Sequence, residues 1–509
     1  MFRRIRSYCL FGIKAVPVSI EVDASQGLPG FTLVGLPDNA VRESRERVVS
    51  AIRSIGKVVT GYRTTVNLSP ADLRKEGSAL DLPLAIGLLV STGEIEVEQL
   101  DRYVFVGELS LDGLLKPVRG VLSIAMNLVA ERNSILVVPR GNVQEASLVE
   151  GLRYVCAESL KECVEILERN SSHDVNVATG ISSNYENVDD GIPDFKNVIG
   201  MDEVKRALEI AAAGAHNFLL VGSPGAGKTL CAKCLLGILP EMTELEILET
   251  TRIHSCARRS GDSEEFKPVM SRPFRSPHHS ASMVSLVGGG TRLLPGEASL
   301  AHNGVLFLDE LPEFNRSVLE ALREPMEEGK ISVSRASGTV VWPARFMMGA
   351  AMNPCPCGYA MDPKHECTCL PEAKKRYREK ISGPLLDRID IQVCVPPVDA
   401  SLFAAKGVAE ASAEIRKRVC AARAVQRKRF NSLPFKSNAE MTSEYARTFA
   451  NMTADVERFA VSAASKMDLS ARGYFRLLKV ARTIADLRGA SAVDVMDLSE
   501  ALRYRAFRG

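Results

Sequence analysis

Runs in which every second residue is apolar and runs in which apolar residues return every three or four positions succeed one another along the chain. VSIEVDA (18–24) alternates and YVFVGELSL (103–111) is a short apolar run, so both predict strands. DNAVRESRERVVSAIRSIG (38–56) and ALDLPLAIGLLVSTG (79–93) predict helices, which makes residues 1–169 an α/β unit. From Asn170 to Asp194 the chain is rich in Ser, Asn and Asp and keeps neither period, which predicts a linker over 170–194. In 195–400, NFLLVGSPGAGKT (217–229) and GVLFLDELPE (304–313) are apolar runs ending in Gly or Asp and alternating with helical segments, the pattern of a mainly parallel sheet covered by helices. AEIRKRVCAARAVQRKRF (413–430) and YFRLLKVARTIADLRG (474–489) are helical, so 401–509 is expected to form a separate helical bundle.

Composition excludes classes of protein without selecting a function. A chain of 509 residues predicts roughly two to four domains. Its 46% hydrophobic and 25% charged residues exclude a disordered or collagen-like chain, and a formal net charge of +2 leaves any nucleic-acid surface to local clusters. No run approaches about 18 uninterrupted apolar residues, and the N-terminal MFRRIRSYCLFGIKAV has only scattered apolar positions. The expectation is a cytoplasmic protein with no export signal and no membrane contact. Of 12 cysteines only four cluster, which argues for reduced thiols rather than a disulfide framework.

GSPGAGKT contains Gly222, Ser223, Pro224, Gly225, Ala226, Gly227, Lys228 and Thr229 and matches the phosphate-loop pattern in full, after an apolar strand and before a helix. The glycines let backbone N–H groups turn toward phosphates, Lys228 neutralises the β- and γ-phosphates, and the Thr229 hydroxyl binds Mg²⁺. VLFLDE (305–310) is a buried strand ending in two acids with separate tasks: Asp309 holds the metal, and Glu310 polarises the attacking water. These residues predict an ATP- and Mg²⁺-dependent hydrolase.

The order GSPGAGKT, VLFLDE, AMNP, LLDR and LSARG resembles a AAA+ ATPase of the magnesium-chelatase-like branch, and the whole chain resembles the YifB/ComM family. The resemblance implies that Asn353 is the polar sensor orienting the lytic water, that Arg388 is the arginine finger reaching into a neighbouring subunit, and that Arg472 is a second sensor on the helical region. Phosphoryl transfer spreads negative charge over the γ-oxygens, and a fixed guanidinium offsets it better than a lysine. The family further implies a hexameric, ATP-driven DNA motor promoting branch migration or strand exchange in recombination or natural transformation. The alternative is a chelatase-type or chaperone-like remodeller of a tetrapyrrole or protein complex.

The N-terminal third resembles the Lon-type protease domain in KEGSALD and GLLKPVRGVLSIA. Alignment puts Ala79 where that family has its nucleophile, with Ser78 one position off, and Leu122 where it has its lysine. A serine without a positioned base is a weak nucleophile, so the domain is read as reused for assembly or binding. DNA is the expected partner, held without sequence preference. KKRYREK (374–380) and the segment Arg416 to Arg429 are basic clusters, and GKISVSRASGTVVWPARF (329–346) predicts a hairpin whose Lys330 and Arg335 point into a ring's pore. RPFRSPHHSASMVSLVGGGTR (272–292) contains adjacent His278 and His279 and is read as a mobile loop rather than a metal site.

Cys355, Cys357, Cys367 and Cys369 follow a Cys-x-Cys, nine residues, Cys-x-Cys spacing, with Gly358 and Pro363 allowing the chain to turn back. Structural zinc held by four thiolates is the favoured reading, with His365 able to replace one ligand; unmetallated thiols and a redox disulfide are the alternatives. Four thiolates leave no open position for water, so a catalytic zinc is not expected.

Overall fold

The computed structural model describes residues 1–75, 77–169, 174–181, 191–258, 266–290, 293–335, 338–397 and 409–505, so most of the predicted linker lies outside the described residues. An eight-stranded sheet is built around the long hairpin Phe2–Phe11 and Lys14–Gln26, in which Phe11 faces Lys14 across Gly12 and Ile13. Gly12, at φ +61°, supplies the left-handed backbone that a two-residue hairpin turn needs. Tyr62–Ser69 and Gly30–Val34 extend one flank, and Tyr103–Phe105, Ile135–Pro139, Arg153–Ala157 and Asn176–Val177 extend the other.

Both helices read in this region form. Asn39–Ser54 starts where the Asp38 side chain accepts from the Val41 N–H, and Asp81–Thr92 closes on Gly93 at φ +79°. The second helix is apolar on every side because it is buried on every side. Its Asp81 is clamped by Arg47 at 2.8 and 3.1 Å, and burial still pushes the Asp81 carboxyl up to about 6.

The second sheet has five parallel strands, in spatial order Phe274–Arg275, Val305–Leu308, Met347–Met352, Phe218–Gly222 and Ile391–Val395. This order decides where the site lies. The strand ending at Asn353 runs between the strand carrying the Gly-rich loop and the strand ending at Asp309. Because all are parallel, their C-terminal ends open on one edge, where ligands bind in open α/β sheets.

The helices from Ser412 to Arg503, read from the sequence as a bundle of their own, pack against the region that carries the second sheet. Ser412–Arg429 and Ala471–Leu487 pack on Asp202–Gly214, and Ile415, Val419, Leu477 and Ala481 share one core with Leu208, Ala211 and Phe218. The physical reason is visible in Ala471–Leu487, which is buried from Val480 to Asp486 without interruption and so needs cover beyond its own neighbours. Polar bonds complete the junction: buried His216 contacts Asp390 at 3.2 Å and Thr483 at 2.8 Å, and Arg476 donates to Asp390 at 2.6 Å.

The two sheets meet through helix Glu244–Ala257. Arg252 donates to Ser123 Oγ and to the Ile13 carbonyl, each at 2.9 Å, and Ser255 donates to the fully buried Glu145 carboxylate. The hairpin Lys330–Arg335 and Gly338–Pro343 joins this contact, with Val340 and Trp342 packed beside Leu10, Phe11 and Ile253. Among the described residues, no helix is long and apolar enough to cross a membrane.

Candidate active site

The Gly-rich loop turns between strand Phe218–Gly222 and helix Lys228–Cys234, with Gly225 and Gly227 at φ +75° and +80°. Gly222 also leaves no room for a side chain, since a Cβ there would lie 2.5 Å from the Val395 carbonyl oxygen. Lys228 Nζ donates to the Gly222 and Ser223 carbonyls at 2.7 and 2.9 Å and to Asn353 Oδ1 at 3.1 Å. Burial lowers the Lys228 pKa, and the Asp309 and Glu310 carboxylates oppose that shift. Thr229 Oγ1 donates to Asp309 Oδ2 at 2.7 Å. A cleft of about 410 Å³ opens over these groups. Its donors suit a triphosphate: backbone N–H groups at a helix start and a partly buried ammonium. The Thr229 hydroxyl and Asp309 carboxylate are adjacent hard oxygens of the kind that hold Mg²⁺ while leaving its other positions to water and phosphate.

Glu310 adopts φ +53°, and its N–H donates to Asp309 Oδ1 at 2.9 Å, so the adjacent acids diverge. The Asp309 carboxylate is turned to Thr229, while Glu310 Oε2 lies 3.1 Å from His279 Nδ1. The rings of His278 and His279 lie against each other at a tilt of 35°, with centroids 4.0 Å apart. Sequence reasoning missed this contact, and adjacent histidines in a Gly- and Ser-rich segment carry no signal of it.

Arg388 does not approach its own chain's phosphate loop. It precedes strand Ile391–Val395, whose Ile391 faces Phe218 and whose Val395 faces Gly222. The Arg388 backbone and the loop thus lie toward opposite ends of these adjacent strands, which run about 16 Å. Arg388 is 3% exposed and pairs with Glu327, to which Arg472 also bonds at 3.3 Å. Burial lowers the Arg388 pKa, Glu327 raises it, and Arg472 adds to the lowering. Glu327, another residue the sequence did not single out, thus holds both arginines together.

The four cysteines converge. Cys355, Cys357 and Cys367 have Sγ separations of 3.3, 3.7 and 3.7 Å, and all four sulfurs lie within 4.8 Å of one another. Four thiolates about 2.3 Å from a tetrahedral zinc lie about 3.8 Å apart, so the set fits that ion. Cys369 Sγ accepts the Cys357 N–H at 3.3 Å. His365 is turned away, pairing with Asp362 at 3.2 Å and stacking on Tyr359, so it is not a fifth member. The loop reaches the nucleotide cleft: Gly358, at φ +88°, lies so close to the Gly-rich loop that a Cβ would be 2.5 Å from Pro224 Cδ.

The expected DNA residues are not gathered in one place. Lys330 pairs with Pro343 at the base of the hairpin and lies 3.3 Å from Glu328, whereas Arg335 pairs with Gly338 at the turn; the Arg335 side chain lies outside the described residues. The basic segment from Arg416 to Arg429 is largely engaged within the chain. Arg418 bonds Glu209 and Glu410 at 2.5 Å, Arg423 donates to the Ala212 carbonyl at 2.9 and 3.1 Å, and Arg429 pairs with Asp486. In KKRYREK, Tyr377 is buried and Lys380 pairs with Glu313 at 3.1 Å. In the N-terminal region, Ser78 donates to Glu108, and the Leu122 N–H donates to buried Glu145 at 2.7 Å.

A parallel sheet with this strand order, a Gly-rich loop, and a carboxylate pair with an asparagine at neighbouring strand ends define a magnesium-chelatase-like AAA+ ATPase. Residues 194–402 match the family model described as magnesium chelatase, subunit ChlI; residues 20–142 match subunit ChlI of Mg-chelatase, and 409–505 its C-terminal model. The chain belongs to the YifB/ComM family within that class. It is 43% identical over 505 residues to competence protein ComM of Haemophilus influenzae, covering 99% of this chain and 97% of that protein. It is 41% identical over 504 residues to YifB of Escherichia coli, covering 99% and 96%. The magnesium-chelatase 67 kDa subunit of Chlorobaculum parvum is 26% identical over 162 residues, 31% of this chain and 23% of that protein.

Proposed function

We propose that this chain is an ATP-driven motor on DNA, acting as a hexameric ring in the cytoplasm and promoting branch migration or strand exchange during recombination or natural transformation. The observation that carries this reading is the nucleotide cleft, with Lys228 bonded to Asn353 and Thr229 to Asp309, in a chain with full-length likeness to a competence protein. Lys228 and the loop N–H groups bind the phosphates, and Glu310 takes a proton from the attacking water as Asn353 orients it. Bound Mg²⁺ supplies charge neutralisation beside Thr229 and Asp309. Arg388, at the far edge of its own sheet, acts on a neighbour's γ-phosphate after leaving Glu327, and Arg472 leaves with it. Cys355, Cys357, Cys367 and Cys369 would hold a structural zinc, which would brace the loop beside Pro224.

The hairpin Lys330–Pro343 supplies the moving contact with DNA. Because it also packs on the turn at Gly12, the N-terminal region serves to steady it rather than to cleave peptides. The experiment is ATP hydrolysis measured with and without single-stranded and branched DNA. Stimulation by either supports the motor; hydrolysis indifferent to both returns the chain to the remodeller class.

A further inference from the structure

We propose that His279 is a positioning residue for hydrolysis, holding the Glu310 carboxylate by one oxygen and tying it to the state of residues 273–290. The proposal rests on the ATPase reading above and adds a residue and a control element to it.

Glu310 needs an external constraint. Its side chain is 58% exposed, its backbone is at φ +53°, and its neighbour Asp309 is engaged with Thr229 and with the Glu310 N–H itself. An exposed carboxylate on rotatable bonds samples several rotamers, whereas a general base must hold one. His279 Nδ1 lies 3.1 Å from Oε2, within ion-pair distance, and supplies the constraint through that one oxygen. The imidazole is itself braced. It lies against the tilted ring of His278 at 4.0 Å and meets the ring of Phe314 edge-on at 6.4 Å, and Phe314 is buried in the core with Leu308 and Leu311. His278 Nδ1 in turn lies 2.8 Å from Ser280 Oγ.

The same segment reaches the hairpin. Beyond His279 the chain enters helix Met283–Val287, capped by Ser282, and then Gly288–Gly289; a Cβ on Gly289 would lie 3.3 Å from Val333 Cγ1 of the hairpin. One short stretch of chain therefore touches the hydrolytic carboxylate at one end and the proposed DNA-gripping hairpin at the other. Displacement of the hairpin reaches Glu310 through His279 without crossing the sheet.

The test uses the full chain, with turnover measured at saturating ATP in the absence and presence of circular single-stranded DNA. In His279→Ala, kcat falls about tenfold, as when a partner that orients an active-site group is removed, while the KM for ATP stays within about twofold. Any increase in turnover caused by DNA is lost with it. His279→Asn, which restores a donor near the Nδ1 position, recovers most of the rate. His279→Phe keeps the ring packing but not the donor, so it behaves like the alanine variant and replaces it if alanine prevents folding. Wild-type kcat in both donor-less variants, or an asparagine variant as slow as they are, overturns the proposal alone. A wild type that does not hydrolyse ATP overturns both this proposal and the ATPase reading.

Discussion

Lys228 and Glu310 contribute to one reaction by different physics, and substitution separates them. Lys228→Ala removes a buried ammonium that bonds Asn353 and faces the phosphates, so nucleotide affinity falls by about 10–100-fold, the scale of a lost charge-assisted bond. Glu310→Gln keeps the shape and removes the base, so affinity survives while kcat drops by about 10²–10⁴-fold. Binding of a fluorescent ATP analogue beside steady-state hydrolysis checks both, and equal affinity in wild type and Lys228→Ala contradicts the assignment. Gly358→Ala places a Cβ against Pro224 at a left-handed φ, and the flexible Gly-rich loop yields first. The expected outcome is a raised KM for ATP with the cysteine loop intact; an unchanged KM removes the contact from the account. The grouping of Lys228, Thr229, Asp309, Glu310 and Asn353 is legible in the sequence because each lies at the end of an apolar run, and parallel strands gather such ends. His279 and Glu327 are not legible: their partners are set by loop paths and helix packing, which no local period encodes.

Arg388 and the cysteine loop belong to the scale of elements. Arg388 sits at the opposite sheet edge from its own loop, so Arg388→Ala should lose about 10³-fold or more in hydrolysis while keeping nucleotide binding. Mixing it with Glu310→Gln subunits should restore activity, because mixed rings contain composite sites with both groups; no rescue at any ratio contradicts action between subunits. The cysteine loop predicts about one zinc per chain by elemental analysis of purified protein. Replacing Cys355 and Cys357 together should lower the Tm and the ATPase rate, and metal-free protein of full stability would sink the brace. Most strands and helices follow from periodicity, including the helix Asp81–Thr92, but the run 103–111 divides into Tyr103–Phe105 in the large sheet and Glu108–Leu109 paired with Leu115–Lys116. The basic segment is less free than its charge suggests, because charge counted along a sequence ignores partners: Glu209 and Asp486 come from distant positions, Glu410 from just before the segment, and all three engage its arginines. The hairpin corrects the remaining expectation. Lys330 is at its base beside Glu328, so Arg335→Ala, at the turn, should weaken DNA binding more than Lys330→Ala across a salt series.

For the whole molecule, the proposed motor requires that hydrolysis at one sheet edge become movement elsewhere. The C-terminal helices share a core with the ATPase sheet, and the N-terminal sheet meets it through Arg252, Ser255 and the hairpin's Trp342, so all three regions are in direct packing contact. The separateness expected of the C-terminal helices was the least legible feature of the fold. A helix's apolar stripe shows that it is covered, not by what, and the helix Asp202–Gly214 that covers Ala471–Leu487 lies more than 250 residues away in sequence. In the proposed motor, grip on a DNA strand comes from phosphate contacts and is therefore expected to weaken with salt. The most direct test is branch migration of a labelled three-strand DNA junction by the purified wild-type chain, with Glu310→Gln alongside. The account predicts that wild type with ATP and Mg²⁺ moves the branch, and that Glu310→Gln binds the same junction but leaves it in place. A wild type that hydrolyses ATP yet never moves the junction, or a Glu310→Gln variant that moves it as well as wild type, contradicts the claim that this ATPase is a DNA motor.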